Sequence, residues 1–279
     1  MWSIERPSRS VLEAFQMCLS GVDSEELKAR LERIQLTVVR ESEEYAVAAA
    51  AGQFHTVGRA KRIDDCVTAE EMCELYTQHF SKQGSAGRAL YDELKTGAPN
   101  GRCPLCGHGV VSTLDHFLAK FCYPGLSVTP LNLVPACRDC NNNKGRRFPR
   151  KPQEATLHPY FDNVEDESWL GARVLEEKPA VVIFFVKTVP RWDEVTQARV
   201  KKHCKDLKLW RLYSANAADE MSGIRDGLKR IFAVGGGRAV REYLREGERS
   251  RVRARVNSWQ AATYGALAGS EWYWGGGFE

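Results

Sequence analysis

Hydrophobic positions recur every three or four residues along most of the chain, and in short runs elsewhere, so a mainly helical protein with a few short strands is expected. Leu27, Leu31, Ile34 and Val38 line one helix face, after an Asp23/Glu26 pair spaced like a capping box. Tyr45 and the alanine run after it extend that helix or start another, ending by Gly52. Thr68 and Glu71 open a further helix carrying Met72, Leu75, Tyr76 and Phe80, and residues 88–95 form one more. GAPNGR then reads as a loop.

The pattern changes after Cys103. Gly109–Leu114 reads as a strand with Asp115-His116 at its end, and Leu131–Ala136 as a second strand broken by Pro135. A short helical stretch follows, with Asn141 near its start. Val181–Val186 is an apolar run fit for a buried strand, and helix resumes from Asp193 with Val195, Val200, Leu207, Leu209 and Leu212. Gly235–Gly237 reads as a loop, Arg238–Arg255 as an amphipathic helical region, and the tail EWYWGGGFE as a docking segment.

Cys103/Cys106 and Cys137/Cys140 are two Cys-x-x-Cys pairs, the spacing that gives a closed tetrahedral thiolate shell for structural Zn²⁺. His108, beside the first pair, reads as a turn residue. Nine cysteines, an odd count, argue for a reducing cytoplasm over a disulfide scaffold, and Cys18, Cys66, Cys73, Cys122 and Cys204 read as small buried hydrophobes. With 43% hydrophobic and 27% charged residues and no apolar run near eighteen, a membrane span is not expected. Net charge is only +4, but Lys144, Arg146, Arg147, Arg150 and Lys151 follow the second cysteine pair with no acidic residue before Glu154. Such a run can track a phosphate backbone, and Asn141 and Lys144, three apart on one helix, can point toward one phosphate.

Strand, loop, strand and helix, with Asp115-His116 on the first strand, Asn132 sixteen residues beyond His116 and Asn141 nine further on, resembles the ββα-metal finger of HNH endonucleases over about 45 of 279 residues. The resemblance implies His116 as general base, and Asp115 and Asn141 as oxygen ligands of a catalytic Mg²⁺ or Mn²⁺. It implies that Asn132 pins the loop and so orients His116. Asn141 stands where many HNH proteins have histidine, which leaves an all-oxygen shell. The layout LDHFL…YP…P.NLVPAC..CN..K is similar to that of HNH proteins in bacterial anti-phage systems, some paired with an ATPase, so DNA and a companion ATPase or sensor subunit are the expected partners.

The expected fold class is therefore α+β: an N-terminal helical region (1–100), the zinc-stabilised finger (101–150), and a mainly helical region (151–279) with one strand near 181–186. Two other readings stay open: a catalytically inactive zinc-finger module that binds nucleic acid, and an interaction subunit whose helical flanks matter more than its finger. His158-Pro159-Tyr160 reads as a packed turn, with His158 the reserve candidate for a cation ligand.

Overall fold

Side-chain oxygens that can cap a free backbone N–H set where the helices begin. In a computed structural model that describes residues 1–146 and 148–279, Ser10 and Glu13 close a capping box at the start of α1 (Val11–Ser20), and Thr68 and Glu71 close another at α3 (Ala69–Glu74). Helix α2 (Glu25–Ala50) is capped one residue later than the sequence suggests, by Ser24, whose hydroxyl accepts from the Leu27 amide at 3.3 Å. It runs unbroken through Tyr45 and the alanines. A fourth helix, α4, spans Arg88–Thr96. The chain divides into two units, 1–163 and 164–279, so the N-terminal helices and the four cysteines share one unit.

In the first unit, Phe15 and Cys18 of α1 meet Leu31, Ile34 and Val38 of α2, together with Met72, Phe80 and Leu90. Strands β1 (Arg62–Ile63) and β2 (Val67–Thr68) form a small antiparallel clip beside this core. The same core takes in Leu114 of β3 (Thr113–His116) and Leu133 of β4 (Leu133–Ala136), which pair antiparallel with Asp115 opposite Val134 and His116 opposite Leu133. Asp115 and His116 thus lie inside the first strand, which starts later than Gly109. Pro135 does not break the second strand: it pairs opposite Leu114, because a two-stranded ladder leaves one edge that needs no N–H. Helix α5 (Arg138–Lys144) follows directly.

After α3, residues Leu75–Ser81 wind as a π-helix, a widened turn found often at functional sites. It carries Tyr76 toward His116, ring centroids 4.4 Å apart and edge-on.

In the second unit, β5 (Leu170–Leu175), which the periodicity did not reveal, pairs antiparallel with β6 (Val181–Val186). β6 alternates exposed and buried positions along its first four residues, so it is half-buried instead of buried. Helices α6 (Glu194–Asp206), α7 (Leu209–Ala254) and α8 (Trp259–Gly269) complete the unit. Gly235–Gly237, expected as a loop, is a sharp break between two helical stretches instead of an extended connection. The kink in α7 falls at Gly236 (φ 64°, ψ −170°), and Trp274 fills the space where a Cβ on Gly237 would lie. The aromatic tail therefore packs on its own unit; Tyr273 and Phe278 are buried. No helix among the described residues is long and apolar enough to cross a membrane.

Candidate metal centre and active-site cleft

Thiolates gather only where the backbone can turn sharply enough to aim them at one point. Cys103 donates its amide to Gly109 O and accepts from the Gly107 amide, both at 2.8 Å, closing a tight knuckle. Gly107 has a positive φ (67°), and a Cβ on Gly109 would fall 2.8 Å from Cys137 Sγ, so neither position admits another residue without strain. The second pair comes from the first turn of α5, with Cys137 as its N-cap. The four sulfurs are buried and lie within 4.8 Å of one another, and Cys106 and Cys137 are 3.9 Å apart. Sulfurs about 2.3 Å from one tetrahedral ion stand roughly 3.8 Å apart, so this group suits a structural zinc.

Strand alternation turns Leu114 into the core and Asp115 to the other face. There Asp115 is buried and meets the last residue of α5. Lys144 Nζ lies 3.1 Å from Asp115 Oδ1, 2.8 Å from Oδ2 and 2.6 Å from His116 O. Lys144 is itself buried, so among the described residues its charge is spent on the protein and not offered to a phosphate as its sequence position suggests. Burial lifts the Asp115 carboxyl above the ordinary carboxylate range, against the pull of Lys144.

His116 Nε2 is 2.8 Å from Ser127 O. A carbonyl only accepts, so Nε2 carries the proton and Nδ1 keeps its lone pair. Burial first, then the positive charge of Lys120, pushes the imidazole down to about 3, and it is neutral at pH 7. Asn132 is fully buried and ties the loop between β3 and β4. Its Oδ1 accepts from the Leu118 amide at 2.8 Å, and its Nδ2 donates to Leu118 O and Leu126 O at 3.0 and 3.1 Å. The loop so held presents Ser127 O to His116.

Asp115, His116 and Asn141 line one cleft of about 630 Å³. Lys120, Phe121 and Arg146 form part of its wall, and Glu70 and Glu74 line it from α3. Arg150 is exposed, its guanidinium 5.8 Å from the Phe148 ring. Arg147 lies outside the described residues. His158 does not line the cleft. It is fully buried, Nε2 2.9 Å from Tyr45 Oη and Nδ1 accepting from the Tyr160 amide, stacked on Phe54 and set against Phe117. The packed turn is its role, and it braces the residue after His116.

Asp115 could offer a divalent cation a ligand oxygen only once Lys144 moved aside. Oδ2 is buried and takes no aligned hydrogen bond although the ammonium stands 2.8 Å away, so a lone pair remains there, and the site already holds one positive charge. Asn141 adds a hard oxygen from the same cleft. Sequence reasoning missed Tyr76, Ser127 and Lys120. Tyr76 sits forty residues upstream on a helix with no motif, and Ser127 acts through its backbone, so neither left a local signal.

No protein-family model and no solved structure matches this chain. It is 26% identical over 234 residues to protein ea31 of Escherichia phage lambda, covering 80% of this chain and 79% of that one. A stretch of that extent takes in residues 101–150 wherever it starts. It is also 30% identical over 93 residues to Septu protein PtuB of Bacillus thuringiensis, covering 31% of this chain and 35% of that protein.

Proposed function

We propose that this chain is a metal-dependent HNH endonuclease that hydrolyses DNA phosphodiester bonds. The observation that carries the reading is the pairing of a neutral His116 and a buried Asp115 in one cleft, with the His116 Nε2 proton held on Ser127 O. Nδ1 takes a proton from the attacking water, a contribution worth typically ~10²–10⁴-fold. Ser127 O fixes the tautomer, Asn132 fixes the loop that supplies Ser127, and Tyr76 fixes the ring edge-on. A divalent cation on Asp115 and Asn141 would polarise the phosphate and stabilise the departing 3′ oxygen. Lys144 would have to leave the carboxylate for that cation to enter, and its freed ammonium would then face the cleft.

The partial similarity to Septu protein PtuB supports an anti-phage setting with partner subunits, and an ATPase or a sensor is the partner proposed. The longer similarity is to a protein of phage lambda. A second reading has its own observation. Lys144 already supplies Asp115 with a cation, which suits a zinc module that binds nucleic acid without cutting it. Plasmid nicking with Mg²⁺ or Mn²⁺, by the wild type and by His116→Ala, separates the two. Metal-dependent nicking lost in the variant supports the nuclease; no nicking by the wild type leaves the binding module.

A further inference from the structure

A phenyl ring left in water beside a cleft costs free energy unless something covers it. Phe121 is 45% exposed, in the loop that Asn132 ties down, and it lines the cleft beside Asp115, His116 and Asn141. Its neighbours are cations. Arg146 lies 5.9 Å from its ring centroid, and Lys120, the preceding residue, places its ammonium 4.1 Å over the Tyr76 ring. Neither Arg146 nor Lys120 makes an ion pair among the described residues, and burial first, then the charge of Arg146, lowers the Lys120 pKa. One guanidinium thus reaches the half-exposed Phe121 ring, and a second cation lies farther along the cleft wall on Tyr76.

The strip continues away from the cleft. Ala60 donates its amide to Cys122 O at 3.1 Å, which sets Arg59 next to the Phe121 turn, and the Arg59 guanidinium stacks on Phe148 at 4.0 Å. Exposed Arg150 also approaches that ring, 5.8 Å from its centroid. Cation and aromatic alternate from Arg59 past Phe121 to Lys120 and Tyr76, which touches the candidate base. Glu70 and Glu74 line the cleft from α3, and their charge would keep a phosphate backbone on the Lys120 and Arg146 side.

We infer that Phe121 is a stacking platform for an unpaired base, with Lys120 and Arg146 holding the flanking phosphates, so that the cleft takes single-stranded DNA in preference to duplex. In a duplex each base already stacks on its neighbours and offers no free face to Phe121. In a single strand every base does, and base–aromatic stacking is worth ~1–3 kcal/mol per base. The inference rests on the nuclease reading for the choice of DNA, but not for the stacking itself.

The test is binding of the zinc-loaded full chain, without added divalent cation, to a fluorescent twelve-nucleotide oligo-dT and to a duplex of equal length, followed by anisotropy. Wild type should bind oligo-dT more tightly than duplex. Phe121→Ala should lose about 5- to 100-fold on oligo-dT, the equivalent of one stacked base, and clearly less on duplex. Phe121→Trp should retain oligo-dT binding, which shows that the ring and not the fold is at issue. Equal losses on both ligands, or oligo-dT binding unchanged in Phe121→Ala, overturn the proposal; tighter binding of oligo-U than of oligo-dT overturns its choice of DNA. Plasmid nicking in Mg²⁺ reports separately on the nuclease. Nicking with no effect of Phe121 sinks only the platform, and a Phe121 effect without nicking sinks only the enzyme.

Discussion

The Lys144 ammonium stands 2.8 Å from the Asp115 carboxylate, with side-chain exposures of 9% and 5%. A buried pair of this kind is hard to break by halves, because the survivor is left charged and desolvated, at a cost of roughly 3–5 kcal/mol. It also means that any divalent cation reaching Asp115 competes with a tethered one.

Lys144→Met should therefore tighten Mn²⁺ binding by about tenfold or more, a difference of about 1.4 kcal/mol, read by titration of the free-ion electron paramagnetic resonance signal. The metal-free variant should melt below wild type, and Mn²⁺ should raise its Tm by more than it raises the wild-type value. Weaker Mn²⁺ binding in the variant would mean that Lys144 helps to hold the cation instead of excluding it.

His116→Ala should lower cleavage by ~10²–10⁴-fold while zinc content and DNA affinity stay near wild type. The imidazole is not part of the buried four-thiol group, and among the described residues its hydrogen bond to Ser127 O is its one polar tie to the loop. Cleavage at the wild-type rate would remove His116 from the role of base.

Asn132→Ala removes three hydrogen bonds to the loop and leaves the buried amide and carbonyl of Leu118 unsatisfied, while Leu126 O keeps its bond from the Thr129 amide. At ~1–3 kcal/mol for each such group, the loss should be on the order of 3 kcal/mol or more. Urea unfolding gives that number, and hydrogen exchange should show faster opening at the Leu118 amide. A variant as stable as wild type would mean that the loop is held by other means.

Cys140→Ser should lose the zinc and with it much of the first unit's cooperativity, since structural zinc contributes an apparent ~10–16 kcal/mol in small domains. Metal content per chain and thermal melting check this together. One zinc retained with an unchanged melt would contradict the four-cysteine site.

DNA affinity should fall with salt, and replacing Arg146 and Arg150 together by alanine should flatten the slope of log K against log salt by up to about 0.9 for each phosphate contact removed from duplex DNA, and about 0.7 on a single strand. Lys144 drops out of that count, because its charge is already paired. An unchanged slope would return both arginines to the status of solvated charges.

What could be read from the sequence was what repeats or what carries fixed spacing. The cysteine pairs announced their shared point because two residues between thiols leave few geometries. The Thr68/Glu71 capping box was legible because both partners are local. Lys144 misled for the same reason: helix spacing places it near Asn141, but its partner Asp115 comes from another element, twenty-nine residues away. β5 escaped because half its positions are only partly buried and Gly171 and Ala172 mask the alternation. The glycine run in α7 escaped because a triple glycine normally ends a helix, and the tryptophan that packs against Gly237 comes from the tail, thirty-seven residues away.

The position of Cys140 next to Asn141 has one more consequence. The last zinc thiolate and the candidate oxygen ligand are consecutive residues of α5, and Asp115 lies between the two cysteine pairs in sequence. If a second metal binds at Asp115 and Asn141, zinc would be loaded first, because its thiolates fix the first turn of α5, which carries Asn141. A chelator chosen for its strength on zinc should then lower affinity for that second ion without competing for it. An apparent dissociation constant for Mg²⁺ or Mn²⁺ measured on a partly zinc-depleted sample is then a zinc occupancy in disguise.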